Sequence, residues 1–165
     1  MTTTSDRLNL PFLALAQSQK ETTHNEALAL LDMAVQPVVQ AIAPATIPAA
    51  PVAGQCWIVG AAPGGPWSGH ADALAAWTSG GWRFLAPFDG MTVWSMADGV
   101  SARRVGSSWQ VGQLTAVKLV IGGNQVVGNR RPAIALPTGG ATNDVQARAT
   151  IALVIDTLTN HGLIS

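Results

Sequence analysis

Tyrosine is absent from this 165-residue chain, and cysteine occurs once. A single thiol excludes an intramolecular disulfide and any Cys-x-x-Cys metal site. Cys56, beside Trp57 in an apolar run, reads as a small core residue rather than a nucleophile. Charge is equally sparse. Nine basic and nine acidic residues make up 11% of the chain and sum to zero, where an average soluble domain carries about 25%. A nucleic-acid binder presents a concentrated basic face. Here the densest basic pairs, Arg103-Arg104 and Arg130-Arg131, read as solvated or ion-paired surface. No apolar run approaches the ~18 residues of a membrane span. The opening residues Met1 to Arg7 lack the basic-then-apolar order of a secretory signal. The expected partners therefore include neither nucleic acid nor a membrane, and synthesis and assembly are expected in the cytoplasm.

Catalytic constellations are also missing. No serine lies in a Gly-x-Ser-x-Gly elbow. The glycine-rich loop from Gly60 to Pro66 has no lysine and no following helix, so it lacks the context of a phosphate cradle. His24, His70 and His161 fall in three separate segments, none with a second ligand at metal spacing. Asp89 and Asp98 each precede a glycine and read as turn formers. A glycosidase needs two facing carboxylates, and Asp72 with Asp89 is the pair that would have to meet. The expectation is a protein that is not an enzyme and holds no cofactor or metal.

What the chain does have is six tryptophans, all between Trp57 and Trp109. Each offers ~150–250 Å² of surface to bury, a large share of an alanine-rich core. Trp57, Trp82 and Trp94 sit inside apparent strands and are expected in that core. Trp67 lies in a Pro/Gly loop, and Trp77 and Trp109 lie near turns. These three, with His70 beside Trp67, are the candidate contacts for a sugar ring or a partner protein.

The organisation reads as four segments. Residues 1–36 are an arm and a helix. The arm carries Leu8, Leu10, Phe12 and Leu13, with Pro11 blocking a helix across them; it must dock on its own domain or on a neighbour. The helix is expected from Ser18 to about Gln36. Ser18 and Glu21 have capping-box spacing, and Leu28, Leu31 and Val35, with His24 and Ala27, line one face. Residues 37–53 are a charge-free Pro/Ala linker. Residues 54–136 form a Trp/Gly-rich β domain. Strands are expected at 55–59, 75–78, 82–85, 91–96, 100–105, 108–111, 114–121 and 125–127, separated by glycine turns.

Residues 137–165 form a helical oligomerisation segment. Thr142 or Asn143 is expected to cap its helix, and Gly162 to end it. Ala147, Ile151, Val154, Leu158 and His161 step by four, three, four and three, a short heptad seam. The fold class is therefore α+β, mainly antiparallel β, with a small β domain between two helical ends. Low charge and positive mean hydropathy imply surface covered by a partner.

Two stretches resemble phage-type proteins. One runs through Leu8-x-Leu-Pro, Gln17-Ser-Gln-Lys-Glu-Thr-Thr-His-Asn-Glu-Ala-Leu, Leu31-Asp32, Gly54-Gln-Cys-Trp-Ile-Val-Gly, Trp67-Ser-Gly-His, Gly81-Trp-Arg-Phe and Pro87-Phe-Asp-Gly. That order resembles a family of unknown-function domains in tailed phages and alphaproteobacterial gene transfer agents. The other runs from Val126-Val-Gly-Asn-Arg-Arg-Pro-Ala-Ile through Pro137-Thr-Gly-Gly-Ala-Thr and Ala147-Arg-Ala-Thr-Ile to His161-Gly-Leu-Ile. It resembles a C-terminal module of phage tail and spike proteins. The resemblance implies a structural virion component, the base or adaptor of a head spike or tail fibre that supports host-surface attachment. Such a protein is assembled in the bacterial cytoplasm and located in the particle. It would be a homo-oligomer, three chains as a first expectation and five at a capsid vertex, contacting other capsid or fibre proteins. The alternative is a carbohydrate-binding module recognising host capsular polysaccharide through the loop tryptophans.

Overall fold

The computed structural model describes residues 3–14, 20–139 and 144–164. The chain divides into two compact units, Met1–Gln113 and Leu114–Ser165. The hairpin after Leu114 thus belongs with the C-terminal helix, not with the Trp/Gly-rich domain to which the division at 136/137 assigns it. The fold is α+β with mostly antiparallel sheets.

The first unit contains helix α1 (Lys20–Ala34) and seven strands: β1 (Val38–Val39), β2 (Cys56–Ile58), β3 (Leu74–Thr78), β4 (Gly81–Leu85), β5 (Thr92–Ser95), β6 (Val100–Val105) and β7 (Ser108–Val111). They make two sheets, ordered β2-β3-β4 and β1-β5-β6-β7, with β1 parallel to β5 and the other pairs antiparallel. The hairpins follow from turn chemistry. Thr78 pairs with Gly81 across Ser79-Gly80, and Gly81 takes φ +97°, a conformation costly for other residues.

The β2-β3-β4 sheet is covered on both faces. Cys56, Ile58, Leu74 and Ala76 face a core shared with Met33, Val39, Met91, Val93 and Ala102. Trp57, Val59 and Ala75 face the opposite way, onto Trp67. Two-sided burial explains why these strands are continuously apolar rather than alternating. Strand β5 does alternate: Val93 and Ser95 point in, Thr92 and Trp94 out.

The segment expected to be a linker is a strap in the core. Val39 is fully buried, and the amide of Met96 donates to its carbonyl at 2.9 Å. Further along, the amide of Gln40 donates to the Cys56 carbonyl and that of Ala43 to the Ile58 carbonyl. The strap therefore joins the two sheets. A charge-free sequence tolerates that position because it brings no ionic group to desolvate.

Helix α1 buries a different face from the one expected. Leu31 and Val35 are exposed, as are His24 and Ala27. The inward residues are Leu30 and Met33, beside Glu26 and Asp32. The seam at 26, 29, 30 and 33 has helical spacing, but Glu26 makes it polar at one end. Glu26 meets Arg83 of β4, with Arg83 Nε 2.8 Å from the carboxylate. Ser18, the expected cap, lies outside the described residues.

The arm docks on its own chain. It turns back on itself, Phe12 donating to Thr3 and Ser5 to Leu10. Buried Asp32 accepts from Ser5 Oγ at 2.8 Å, Arg7 N at 3.0 Å and Leu8 N at 2.6 Å. The Arg7 guanidinium reaches the carbonyl of Asp32 in the last turn of α1 and those of Val35 and Gln36 just past its end, where the helix presents free carbonyls and its negative dipole end. Leu13 exchanges two hydrogen bonds with the Asn25 side chain. Leu10, Phe12 and Leu13 are half-buried, and Leu8 is exposed.

The second unit holds β8 (Leu119–Ile121), β9 (Asn124–Val127) and α2 (Val145–Asn160). Strand β8 is shorter than the run from Leu114 predicts. Asp144 itself caps α2, accepting from Ala147 N at 2.9 Å; Thr142 and Asn143 lie outside the described residues. The helix ends as expected. Gly162 takes φ +70°, and the amides of Gly162 and Leu163 return to Thr159 and Leu158, a Schellman closure.

Candidate functional site

The four candidate contact residues separate in space and in exposure. Trp67 follows Pro66 in a short 3-10 turn and is only 2% exposed, so it is core and not a platform. It lies 5.3 Å from Trp82 at 87° and 6.5 Å from Trp57. Trp77 is half-buried against Trp82 at 5.1 Å. His70 is exposed and stacks flat on Phe84, centroids 3.7 Å apart and planes 4° apart. Trp67, Trp77 and His70 thus belong to one aromatic layer with Trp57, Trp82 and Phe84. Trp109 lies apart on β7, half-buried, its indole donating to the Asp72 carbonyl at 3.0 Å. The tryptophan missed by sequence reasoning is Trp94, expected in the core but 45% exposed. Strand parity predicts this outcome, because Val93 and Ser95 face inward.

The carboxylates are engaged in structure. Arg104 Nη1 lies 3.3 Å from Asp72 Oδ2, within ion-pair range though off the line of a hydrogen bond. Asp89 accepts from the amide of Gly106 at 2.9 Å. Asp98 accepts from Ser95 Oγ. Among the described residues, no group of three or more His, Cys, Asp and Glu side chains is placed to hold a metal ion. No helix among them is long and apolar enough to cross a membrane.

Cys56 is fully buried, and burial pushes its thiol up from 9.0 to about 11; the Arg7 charge opposes this and Asp32 adds to it. The folded protein therefore keeps its proton where the unfolded chain has lost it. The contribution of this thiol should be constant below pH 9 and be lost, by about 2–3 kcal/mol, as pH rises to 11. Urea titrations compared between wild type and Cys56→Ala would isolate that slope. Ellman's reagent at pH 8 should label the thiol only after unfolding; rapid labelling of native protein would contradict the buried site.

Among the described residues, exposed apolar side chains concentrate in the second unit. Both hairpin strands are exposed along their whole length, and α2 has no buried residue. Leu114 and Val117 are 84% and 86% exposed. Among the described hydrophobic residues of this unit, only Ile164 is buried. Of the heptad positions, Ile151 and Val154 are exposed and Leu158 is half-buried. All three line an apolar cleft of about 400 Å³ together with Ile134 and Pro137.

These features define a small α+β module followed by a separate unit with open apolar faces. Residues 24–110 match the model of a family described as protein of unknown function (DUF2793), and the chain belongs to that family. The match begins within α1 and ends in β7, so it leaves the second unit outside. Comparison with curated proteins found no match.

Proposed function

We propose that this protein is a self-assembling structural component of a phage-like particle, the base or adaptor of a spike or fibre. The observation that carries the assembly half is the second unit. A two-stranded hairpin is at best marginal alone, and so is a helix of this length. Here both hairpin strands are exposed along their length and α2 has no buried residue. A helix apolar on several sides is ordinarily buried, and Leu153 projects from α2 at 68% exposure while Ile151 and Val154 open on the cleft. A second copy is the natural cover. The only charges on α2 are Arg148 and Asp156, so copies meet without net repulsion. The heptad spacing of Ile151, Val154 and Leu158 fits a symmetric bundle, with three chains as the starting expectation. The particle half of the reading rests on the resemblance of both stretches of sequence to phage-type proteins.

Light scattering of the full chain should give a whole multiple of 17.0 kDa, and a chain ending at Gln113 should be a folded monomer. The double variant Ile151→Asp/Val154→Asp should return the full chain to monomer. A monomeric wild-type protein at micromolar concentration rules out assembly. Mass spectrometry of density-purified particles from the source culture tests the location; absence from particles rejects the virion reading.

A further inference from the structure

The exposed face of the β1-β5-β6-β7 sheet carries a second feature, independent of assembly through the C-terminal unit. Trp94 lies in a row with Val38 on β1 and Ser101 on β6 by strand register. Thr92, two residues along β5, shares the outward face. The end of α1 rises beside this row, so that Gln36 and Pro37 close one side of a cleft of about 440 Å³. Its lining contains one large aromatic surface, three neutral hydrogen-bonding side chains (Gln36, Thr92 and Ser101) and no charged residue.

We propose that this cleft binds a neutral sugar ring, stacked on the indole of Trp94. A pyranose has one face of C–H groups and a rim of hydroxyls. It therefore needs an apolar plate flanked by groups that both donate and accept hydrogen bonds. The cleft supplies both. Among the described residues, the side-chain amide of Gln36 and the hydroxyl of Ser101 have no hydrogen-bond partner. Thr92 Oγ1 donates to Gly90 O at 3.2 Å and keeps its lone pairs to accept. An uncharged lining suits a neutral hexose better than a nucleotide or an acidic sugar, whose charge would find no counter-ion here.

The plate is also held in place. Trp94 N donates to Pro37 O at 2.9 Å, and strands flank β5 on both sides. Gln36 adopts φ +48°, a left-handed conformation that glycine would take without strain. Arg7 Nη2 fixes it by donating to its carbonyl at 3.0 Å. The docked arm thereby sets the rim of the cleft. A rigid site of this kind loses little conformational freedom when a ligand arrives.

The test uses the full chain labelled with 5-fluorotryptophan, with the Trp94 fluorine resonance assigned from Trp94→Phe. The probes are the methyl glycosides of glucose, galactose and mannose, and N-acetylglucosamine. At least one should shift the Trp94 resonance saturably in the millimolar range. The variants lack that resonance, so their affinities are read by saturation-transfer difference on the sugar protons: Trp94→Ala should weaken binding about ten-fold or more while the other five fluorine resonances stay in place, which shows that the fold survives. Trp94→Phe should retain binding to within several-fold, and Ser101→Ala should weaken it. The proposal is overturned if no probe moves the Trp94 resonance well above the millimolar range. It is also overturned if binding survives Trp94→Ala, or if saturable shifts fall on Trp77 or Trp109 instead. Loss of self-association in Trp94→Ala without any sugar-dependent shift would make the face a protein interface and equally reject the sugar site.

Discussion

Trp67→Ala should destabilise the N-terminal unit by about 3–5 kcal/mol, the usual cost of deleting a buried aromatic. The indole is almost wholly inaccessible and packs edge-on against Trp82 and beside Trp57. Its Nε1 has no hydrogen-bond partner among the described residues, so the loss would be one of packing and cavity formation. No polar partner would be left stranded. With a urea dependence of about 2 kcal/mol per molar for a unit of this size, the midpoint should fall by about 2 M. Near-UV circular dichroism follows the same cluster, because the chain has no tyrosine to mask it. Trp94→Ala is the control and should change stability by less than about 1 kcal/mol, as surface substitutions do. If Trp67→Ala were equally mild, Trp67 would not be core.

Asp32→Ala should cost a comparable amount, about 3–5 kcal/mol, by a different mechanism. The carboxylate is buried and receives three donors from the arm, Ser5 Oγ, Arg7 N and Leu8 N. Removing it strands those donors, and a buried donor left without an acceptor is penalised in full. The melting temperature should drop by about 15 °C. Trypsin should then cut after Arg7, whose guanidinium no longer closes the end of α1. Asp32→Asn, which keeps one accepting oxygen, should fall between wild type and alanine. A chain lacking residues 3–14 that melts like wild type would show the arm to be dispensable. Because Arg7 also fixes Gln36, arm loss should weaken any ligand held at Trp94.

Much of the β architecture was legible in the chain. The pairs 75–78 with 82–85 and 91–96 with 100–105 follow from glycine turns between short apolar runs, and the structure places antiparallel strand pairs there. Strand parity is legible too: Val93 facing inward requires Trp94 to face outward. Hydrophobicity alone does not identify the buried face of α1. The helix buries Asp32 and pairs Glu26 with Arg83, while Leu31 and Val35 remain in solvent. The loop position of Trp67 misled in the same way, since an irregular backbone can still carry its side chain into a core.

The sequence by itself determined most strands of the Trp/Gly-rich region, their turns and the closure at Gly162. Each depends on backbone conformation and on residues a few positions apart. Only the tertiary structure decided which tryptophans are core, where the charge-free strap runs and what the arm holds. Arg7 and Leu8 meet Asp32 across 25 and 24 positions, and Asp6 meets Ser79 across 73. Periodicity reports which side of an element is apolar; it carries no information about which distant segment will cover that side, or whether a polar anchor will cover it instead.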